Sequence, residues 1–392
     1  TVMGVALLIV HIRGGNAAKA FRAELRAASV QPAAEPAMTL AACDIELKPS
    51  GRRLAGEARL SLVNGALAPL DGILLSINPG LEVSGVSGPG GTLAFEQTRH
   101  LVRIRPAEAV APGGEVALTV SYAGEIDERY CYLDIDDGRY WSPLRFWLVT
   151  VPKRYAVVEE SFIHLTPECG WYPRPGLPPA LLFPRTVKRD FSRYSLSVTV
   201  PPGLTAVSQG QAKESGTGSE RTFHFKPEGP LPQMSLTVGR YERKSIVVDE
   251  TEYAMYTLAG HDRFTPLLSE LKTELPTVIR QARITYEALL GLDYPSRRFA
   301  LVETPIQLTS YNRLWDTAQE QVQPEIVFLP EMAALCAGAD FRSSQRQMLG
   351  PGMGGGPGGA PGAPAGGQRA GGQAAGQRGG GAGGRGQAAG MS

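Results

Sequence analysis

Histidine is the side chain best suited to holding a metal or moving a proton near neutral pH, and this chain has five: His11, His100, His164, His224 and His261. No two lie three to five residues apart. A zinc-binding helix needs two histidines one turn apart so that both point at the ion, and no His-Glu-x-x-His is present. His164 and His261 lack spaced partners and read as packed or surface histidines. A nucleophile elbow of the Gly-x-Ser-x-Gly type is also missing. The nearest match, Gly85-Val86-Ser87-Gly88-Pro89, ends in proline and falls in a strand-turn region. The phosphate-cradling Gly-x-x-x-x-Gly-Lys-Ser/Thr loop is absent. Asp134-Ile135-Asp136-Asp137-Gly138 resembles the start of a calcium loop. Its glycine comes one position early and Arg145 stands where a bidentate glutamate is required, so it reads as an acidic surface turn. Cys43, Cys131, Cys169 and Cys336 form no CxxC pair, and their spacing leaves any disulfide pairing open. The catalytic assignment is therefore none and the metal assignment is none. Any enzyme built on this chain is expected to draw its central chemistry from other residues.

The elements that would position a site are mostly strands. Asp44 to Leu47, Leu54 to Val63, Gly72 to Ile77, Leu81 to Val86, Leu101 to Ile104 and Val116 to Tyr122 are short apolar or alternating runs. Turn clusters such as Pro49-Ser50-Gly51 and Pro112-Gly113-Gly114 separate them. A second β stretch runs from about Tyr155 to Val248. Ser195 to Val200 alternates polar and apolar, as a strand with one wet face should. Thr222 to Phe225 and Met234 to Val238 follow, and Lys213 to Glu220 reads as a polar hairpin loop. Trp171-Tyr172-Pro173-Arg174-Pro175 predicts a rigid packed corner between sheets; such a corner can also edge a cleft. The character then changes. Thr265 is a candidate N-cap with Pro266 behind it, and Leu267, Leu268, Leu271 and Leu275 follow at helical spacing. Pro276 predicts a kink or a split into two helices, and Gly291 a C-cap. Phe299 to Val302 and Ile326 to Leu329 read as buried strands.

The totals agree with a folded chain of several parts. Of 392 residues, 43% are hydrophobic and 20% charged, which is enough to build real cores. The net charge of +1 supplies no global field toward nucleic acid or acidic partners. Val2 to Val10 is an apolar run about half the length of a membrane span, followed by polar His11-Ile12-Arg13-Gly14-Gly15. It reads as the last turns of a transmembrane helix; a signal-peptide core and a buried strand are the alternatives. Asn16 to Ser29 is Ala-rich and predicts a short helix, and Gln31 to Ala37 a Pro/Ala linker. Pro351 to Ser392 is Gly/Ala/Pro/Gln-rich and has no hydrophobic content to offset chain entropy. Its charges, Arg369, Arg378 and Arg385, have no interleaved aromatics, so it reads as a disordered linker or inserted loop rather than an RNA binder.

Four segments, in order, resemble the N-terminal region of the aminopeptidase N family of gluzincin zinc metallopeptidases. They are Glu160-Ser161-Phe162 through Gly170-Trp171-Tyr172-Pro173; Phe191 through Pro201 with Gly203-Leu204-Thr205-Ala206-Val207-Ser208; Leu236 through Tyr241; and Gly291-Leu292-Asp293-Tyr294-Pro295 leading to Phe299 through Pro305. The resemblance spans roughly Met38 to Glu331 and implies a mainly β fold. A β-saddle or sandwich domain would be followed by the start of an α+β thermolysin-like domain and a disordered Gly-rich tail. The expected divisions are 1–12 (the C-terminal part of a transmembrane helix), 13–37 (helix and linker), 38–248 (β-saddle), 249–345 (start of the catalytic-like domain) and 346–392 (tail). In that family two histidines and a glutamate hold zinc and a second glutamate activates water. Zinc is thus the cofactor that the resemblance implies, with no ligands among these residues. The family's Gly-x-Met-Glu-Asn motif is not matched; the corresponding stretch reads Gln307-Leu308-Thr309-Ser310-Tyr311-Asn312-Arg313. The family's first domain lends an acidic or amide side chain to the substrate amine, and Glu160 is the closest positional candidate. The implied partners are peptide or protein N-termini and, through the N-terminal helix, a membrane, with no nucleic acid. The membrane stub further resembles bacterial forms fused behind an ABC-type transporter permease, which implies an extracytoplasmic globular part and possible transporter subunits as partners. The alternative expectation is a non-catalytic β-rich partner-binding module beside such a permease.

Overall fold

The structure, a computed structural model, describes residues 2–30, 38–146, 149–178, 190–216, 220–261, 273–308 and 322–331. The chain begins with one helix, α1 (Val2–Val30). The sequence led us to expect an apolar stub and a separate Ala-rich helix, but the two are continuous through Gly14-Gly15. A glycine costs a helix only about 1 kcal/mol relative to alanine, and Arg13, Ala17 and Ala18 around the pair are good helix formers. The helix is also anchored at its C-terminal end, where Leu25 and Arg22 are fully buried.

Strands β1 (Thr39–Ser50), β2 (Arg53–Val63), β3 (Ile73–Ser76), β4 (Leu81–Gly88), β5 (Gly91–Thr92), β6 (Ala94–Thr98), β7 (Leu101–Arg105) and β8 (Glu115–Glu125) come first. A one-turn helix α2 (Asp137–Tyr140) follows, then β9 (Leu144–Phe146), β10 (Val149–Val151), β11 (Val157–Val158), β12 (Ile163–Leu165) and β13 (Arg174–Pro175). Strands β14 (Arg193–Val200), β15 (Thr205–Ser208), β16 (Gln211–Ser215), β17 (Arg221–Lys226) and β18 (Leu236–Gly239) complete the β body. Eight of these form one sheet in the order β16-β17-β14-β1-β2-β8-β4-β5. Two four-stranded sheets, β13-β3-β7-β6 and β11-β12-β18-β15, accompany it.

The β1–β2 hairpin turns at Gly51, whose φ of 58° is left-handed and suits glycine. β1 then pairs in parallel with β14, from Ala42 opposite Arg193 to Leu47 opposite Val198. Alternation in β14 buries Tyr194, Leu196, Val198 and Val200 and leaves the residues between them wetter, as the sequence pattern predicts. Lys213 to Ser215, expected in a loop, are strand instead: β16 is an exposed edge paired with β17, and its charged side chains suit a sheet edge.

The predicted corner is packed solid. Trp171 and Tyr172 are both fully buried, edge to face at 4.6 Å, and Tyr172 meets Tyr194 at 6.1 Å. Tyr122 lies flat across Gly56, where a Cβ would sit 2.6 Å from the phenol ring. Cys43, Cys131 and Cys169 are free, buried thiols. Burial raises their pKa values, so they are inert under ordinary conditions.

A smaller five-stranded sheet follows in the order β19-β20-β21-β23-β22. Its members are β19 (Tyr241–Val248), β20 (Thr251–Leu258), β21 (Arg298–Thr304), β22 (Val322–Gln323) and β23 (Ile326–Pro330). β20, β21 and β23 run parallel. The crossover between β20 and β21 contains helix α3 (Leu275–Leu290), with Pro276 in its first turn and Gly291 closing it at φ 66°. Pro276 thus starts a helix, as a residue with no N–H to donate should. The candidate N-cap Thr265 and the leucines at 267, 268 and 271 lie outside the described residues, as does the Gly-rich tail.

Candidate functional site

In sheets with parallel strands, the strand ends at the carboxyl edge are where ligand-binding loops gather. Here that edge is formed by Leu258, Thr304 and Pro330, and acidic side chains collect around it. Glu303 is 2% exposed, and its Oε2 accepts the Leu258 amide at 2.8 Å. Glu331 follows β23; its amide donates to the Thr304 carbonyl at 2.6 Å and its Oε1 accepts the Ile306 amide at 3.4 Å. His261, just beyond β20, places Nδ1 3.4 Å from Glu331 Oε2. The three parallel strand ends are therefore tied together by carboxylates as well as by the main-chain bond from Glu331 to Thr304.

The β body closes one side of this edge. The Tyr241 hydroxyl donates to the Glu303 carbonyl at 2.9 Å and lies 3.1 Å from Thr237 Oγ1, which in turn donates to the Ile163 carbonyl. His164, on β12, meets the Phe328 ring edge-on at 4.7 Å. His164 is buried, and the loss of solvation holds its pKa down to about 4, so it is neutral at ordinary pH. Arg298, 5% exposed, donates from Nη1 to the Ser208 and Gly210 carbonyls at 2.6 Å each, while Glu325 Oε2 accepts the Gly210 amide at 2.7 Å. Val207 of β15 joins Ala254, Tyr256, Ala300, Val302, Ile326 and Phe328 in the buried core of the small sheet. One face of Ile326 to Leu329, read from the sequence as a buried strand, is covered by the β body.

At the mouth of this joint, the Arg154 amide donates to the Gln307 carbonyl at 3.0 Å. Arg154 Nε donates to Glu128 Oε1 at 2.7 Å, and Glu159 lies 4.0 Å from the same guanidinium. Glu160, the candidate taken from the resemblance, is exposed in the turn between β11 and β12, one residue from Glu159. It stands in the hairpin turn and not within a strand. Glu128 and Glu159 thus flank the Arg154 guanidinium, Glu160 follows Glu159 in the same turn, and Glu303 and Glu331 stand at the strand ends; carboxylates of this kind suit a cationic group such as a free amine. Of the residues that sequence reading singled out, His164 and His261 come to this joint, and Glu160 stands in the β11–β12 turn. Glu303 belongs to the resembling Phe299–Pro305 segment without having been given a role, and Glu331 carried no motif. Among the described residues, no three of His, Cys, Asp and Glu are grouped closely enough to hold a metal ion.

The acidic turn Asp134–Gly138 has a different role. Asp137 pairs with Arg22 at 3.0 Å and Arg26 at 2.9 Å. Burial works to raise the Asp137 pKa, but the hydrogen bonds from Arg26 and Arg22 outweigh it and hold the carboxyl below its usual range. The turn receives helix α1 through these two arginines.

No protein-family model matches the chain, and no curated protein matches it in sequence. Solved structures do match it. A two-domain M1 zinc metallopeptidase variant bound to L-arginine superposes with a TM-score of 0.55 at 18% identity, over 76% of this chain and 61% of that one. The M1 zinc metallopeptidase from Deinococcus radiodurans gives a TM-score of 0.55 at 18% identity, over 76% and 62%. A variant of that enzyme bound to a Tyr-Ser-Ala substrate gives 0.51 at 20%, over 71% and 58%. These values show a shared fold, and the chain spans about three fifths of the length of those structures. The mainly β architecture is that of the front part of the M1 peptidases.

Proposed function

We propose that this chain is the front, substrate-capping part of an aminopeptidase-like protein. The shared fold with M1 zinc metallopeptidases carries the reading. The carboxylates near the joint support it: Glu159, in one turn with Glu160, lies 4.0 Å from the guanidinium of Arg154, whose amide holds the Gln307 carbonyl just after β21. In this reading the mouth receives the ammonium group of a peptide N-terminus, and Glu160 is one of the carboxylates that attract it. The described residues do not fit a zinc ion, so no hydrolytic step is assigned to them.

Membrane linkage is a further part of the proposal, with the globular part extracytoplasmic. It is supported by the apolar start of α1 (Val2 to Val10) and by the firm attachment of the same helix to the β body. Among the described residues, no helix is long and apolar enough to cross a membrane by itself.

Calorimetric titration of the purified chain with Tyr-Ser-Ala and with its N-acetyl derivative tests the capping role. The free amine is expected to bind and the acetylated peptide to bind at least about tenfold more weakly, the equivalent of one lost charge-assisted contact. Glu160→Ala should remove most of that difference. Equal binding of both peptides, or of neither, overturns the reading and leaves a partner-binding module as the better account. Elemental analysis for zinc, paired with a chelator-sensitive aminoacyl amide assay, tests whether this chain carries a catalytic centre of its own.

A further inference from the structure

Helix α1 does more than lean on the β body. Arg22, fully buried, donates from Nη1 to the carbonyls of Arg129 and Cys131 at 2.7 and 2.8 Å. From Nη2 it donates to those of Tyr132 and Ile135 at 2.8 and 3.3 Å. Arg26 adds the Leu133 carbonyl at 2.6 Å and a second bond to Ile135 at 2.8 Å. The stretch from Arg129 to Ile135 belongs to no sheet, and two arginines from a helix more than a hundred residues away supply donors to its main chain. Without α1, five carbonyls of an irregular, mostly buried segment lose these donors, and Asp137 loses both cations. Buried polar groups do not tolerate that, so the segment must rearrange.

The same segment is tied to Arg154 and Tyr155. The Glu128 carboxylate accepts Arg154 Nε and the Tyr155 amide, each at 2.7 Å. The Tyr140 ring lies 3.6 Å under the Arg22 guanidinium, stacks on Tyr155 at 4.5 Å, and its hydroxyl donates to the Glu128 carbonyl at 2.7 Å. The Arg154 amide in turn holds the Gln307 carbonyl, on the loop directly after β21. Every link in this series is a hydrogen bond, an ion pair or a ring contact, and it runs from the helix to the cleft loop.

We propose that α1 is a latch that sets the cleft loop at Gln307, acting through the Glu128–Tyr140 segment and Arg154-Tyr155. A force or partner acting on the N-terminal half of α1 then reaches the mouth of the cleft. The two states are α1 docked, with Gln307 held, and α1 released, with the loop free of its Arg154 anchor. Such coupling needs only an element whose arrangement both ends bias, and the donor-dependent segment 129–135 is that element. The proposal does not depend on the peptidase-like reading of the cleft.

Hydrogen–deuterium exchange on the full chain tests it. In Arg22→Met, exchange is expected to rise about tenfold or more at 127–141, at 153–156 and at 305–308, while β14 and β17 stay protected. A rise that stops at 127–141, or one that reaches β14 and β17 equally, overturns the latch. Should Arg22→Met fail to fold, Glu128→Ala decides the matter, because it leaves the helix contacts in place and cuts the middle of the series. Exchange should then rise at 153–156 and 305–308 and stay unchanged in α1; unchanged exchange at 305–308 refutes the proposal.

Discussion

The β body and the five-stranded sheet obey the same alternation rule and end in different states. In the β body, apolar residues of the eight-stranded sheet meet those of the accompanying sheets in one continuous core that includes Ile45, Leu60, Val120, Trp171 and Phe225. Among the described residues, the small sheet buries one face more fully than the other. Ala300, Val302, Ile326 and Phe328 are covered, while Leu301, Val327 and Leu329 between them are partly open. Helix α3 has no buried residue, and Leu289 and Leu290 are 74% and 67% exposed. Strand alternation alone therefore does not make a core. A second layer must cover each apolar face, and the β body supplies that layer on one side.

The sharpest way to break the comparison is inside the β body. Trp171→Ala removes a fully buried indole and should lower stability by about 3–5 kcal/mol, read as a shifted urea midpoint. Next comes the joint. Arg298→Met leaves the Ser208 and Gly210 carbonyls and Glu325 without their cation, at a cost of about 3 kcal/mol. It should split one thermal transition into two, the small sheet melting first; a single unsplit transition would show that the two parts unfold as one.

Acid probes the same joint. Burial holds both His164 and His100 down to about 4. The folded state therefore favours neutral imidazole, whereas the unfolded chain takes up protons below about 6.5. Stability is full above that pH and falls as pH drops from about 6.5 to 4, by about 3 kcal/mol per histidine. His164→Gln should remove roughly half of this slope in unfolding measurements across that window. The smallest effect belongs to α3: Leu289→Ser should change stability by less than about 0.5 kcal/mol, because that side chain is largely exposed. A loss of 2 kcal/mol or more would mean that the helix is covered after all.

The strands of the β body were legible because their signal is local. Alternation in Ser195 to Val200 and the Pro-Gly turns do not depend on what packs against them. Pro276 and Gly291 marked the ends of α3 for the same reason. Strand β20 was not read, and its turn explains why. Asp249 and Glu250 both have positive φ, 49° and 66°, as a two-residue hairpin turn of the primed type requires. The pair lacks the glycine that usually announces that turn. At the candidate site, Glu160 was singled out by resemblance alone, and Glu331 stands at strand ends that only the folded sheet brings together. Arg22 was hidden for a similar reason. One arginine on an Ala-rich helix looks like a solvated charge until the carbonyls it satisfies are seen.

The parallel pairing of β1 with β14 joins residues 42 and 193. During synthesis, β1 and β2 can form their hairpin early, yet the other edge of β1 has no neighbour until β14 leaves the ribosome. At a translation rate of roughly 5–20 residues per second, that wait lasts about 8–30 seconds. An open strand edge is a template for pairing with other chains. The nascent protein therefore passes through a period in which its largest sheet is half built and adhesive, and its yield in a cell should depend on chaperone supply and on elongation speed between these two strands.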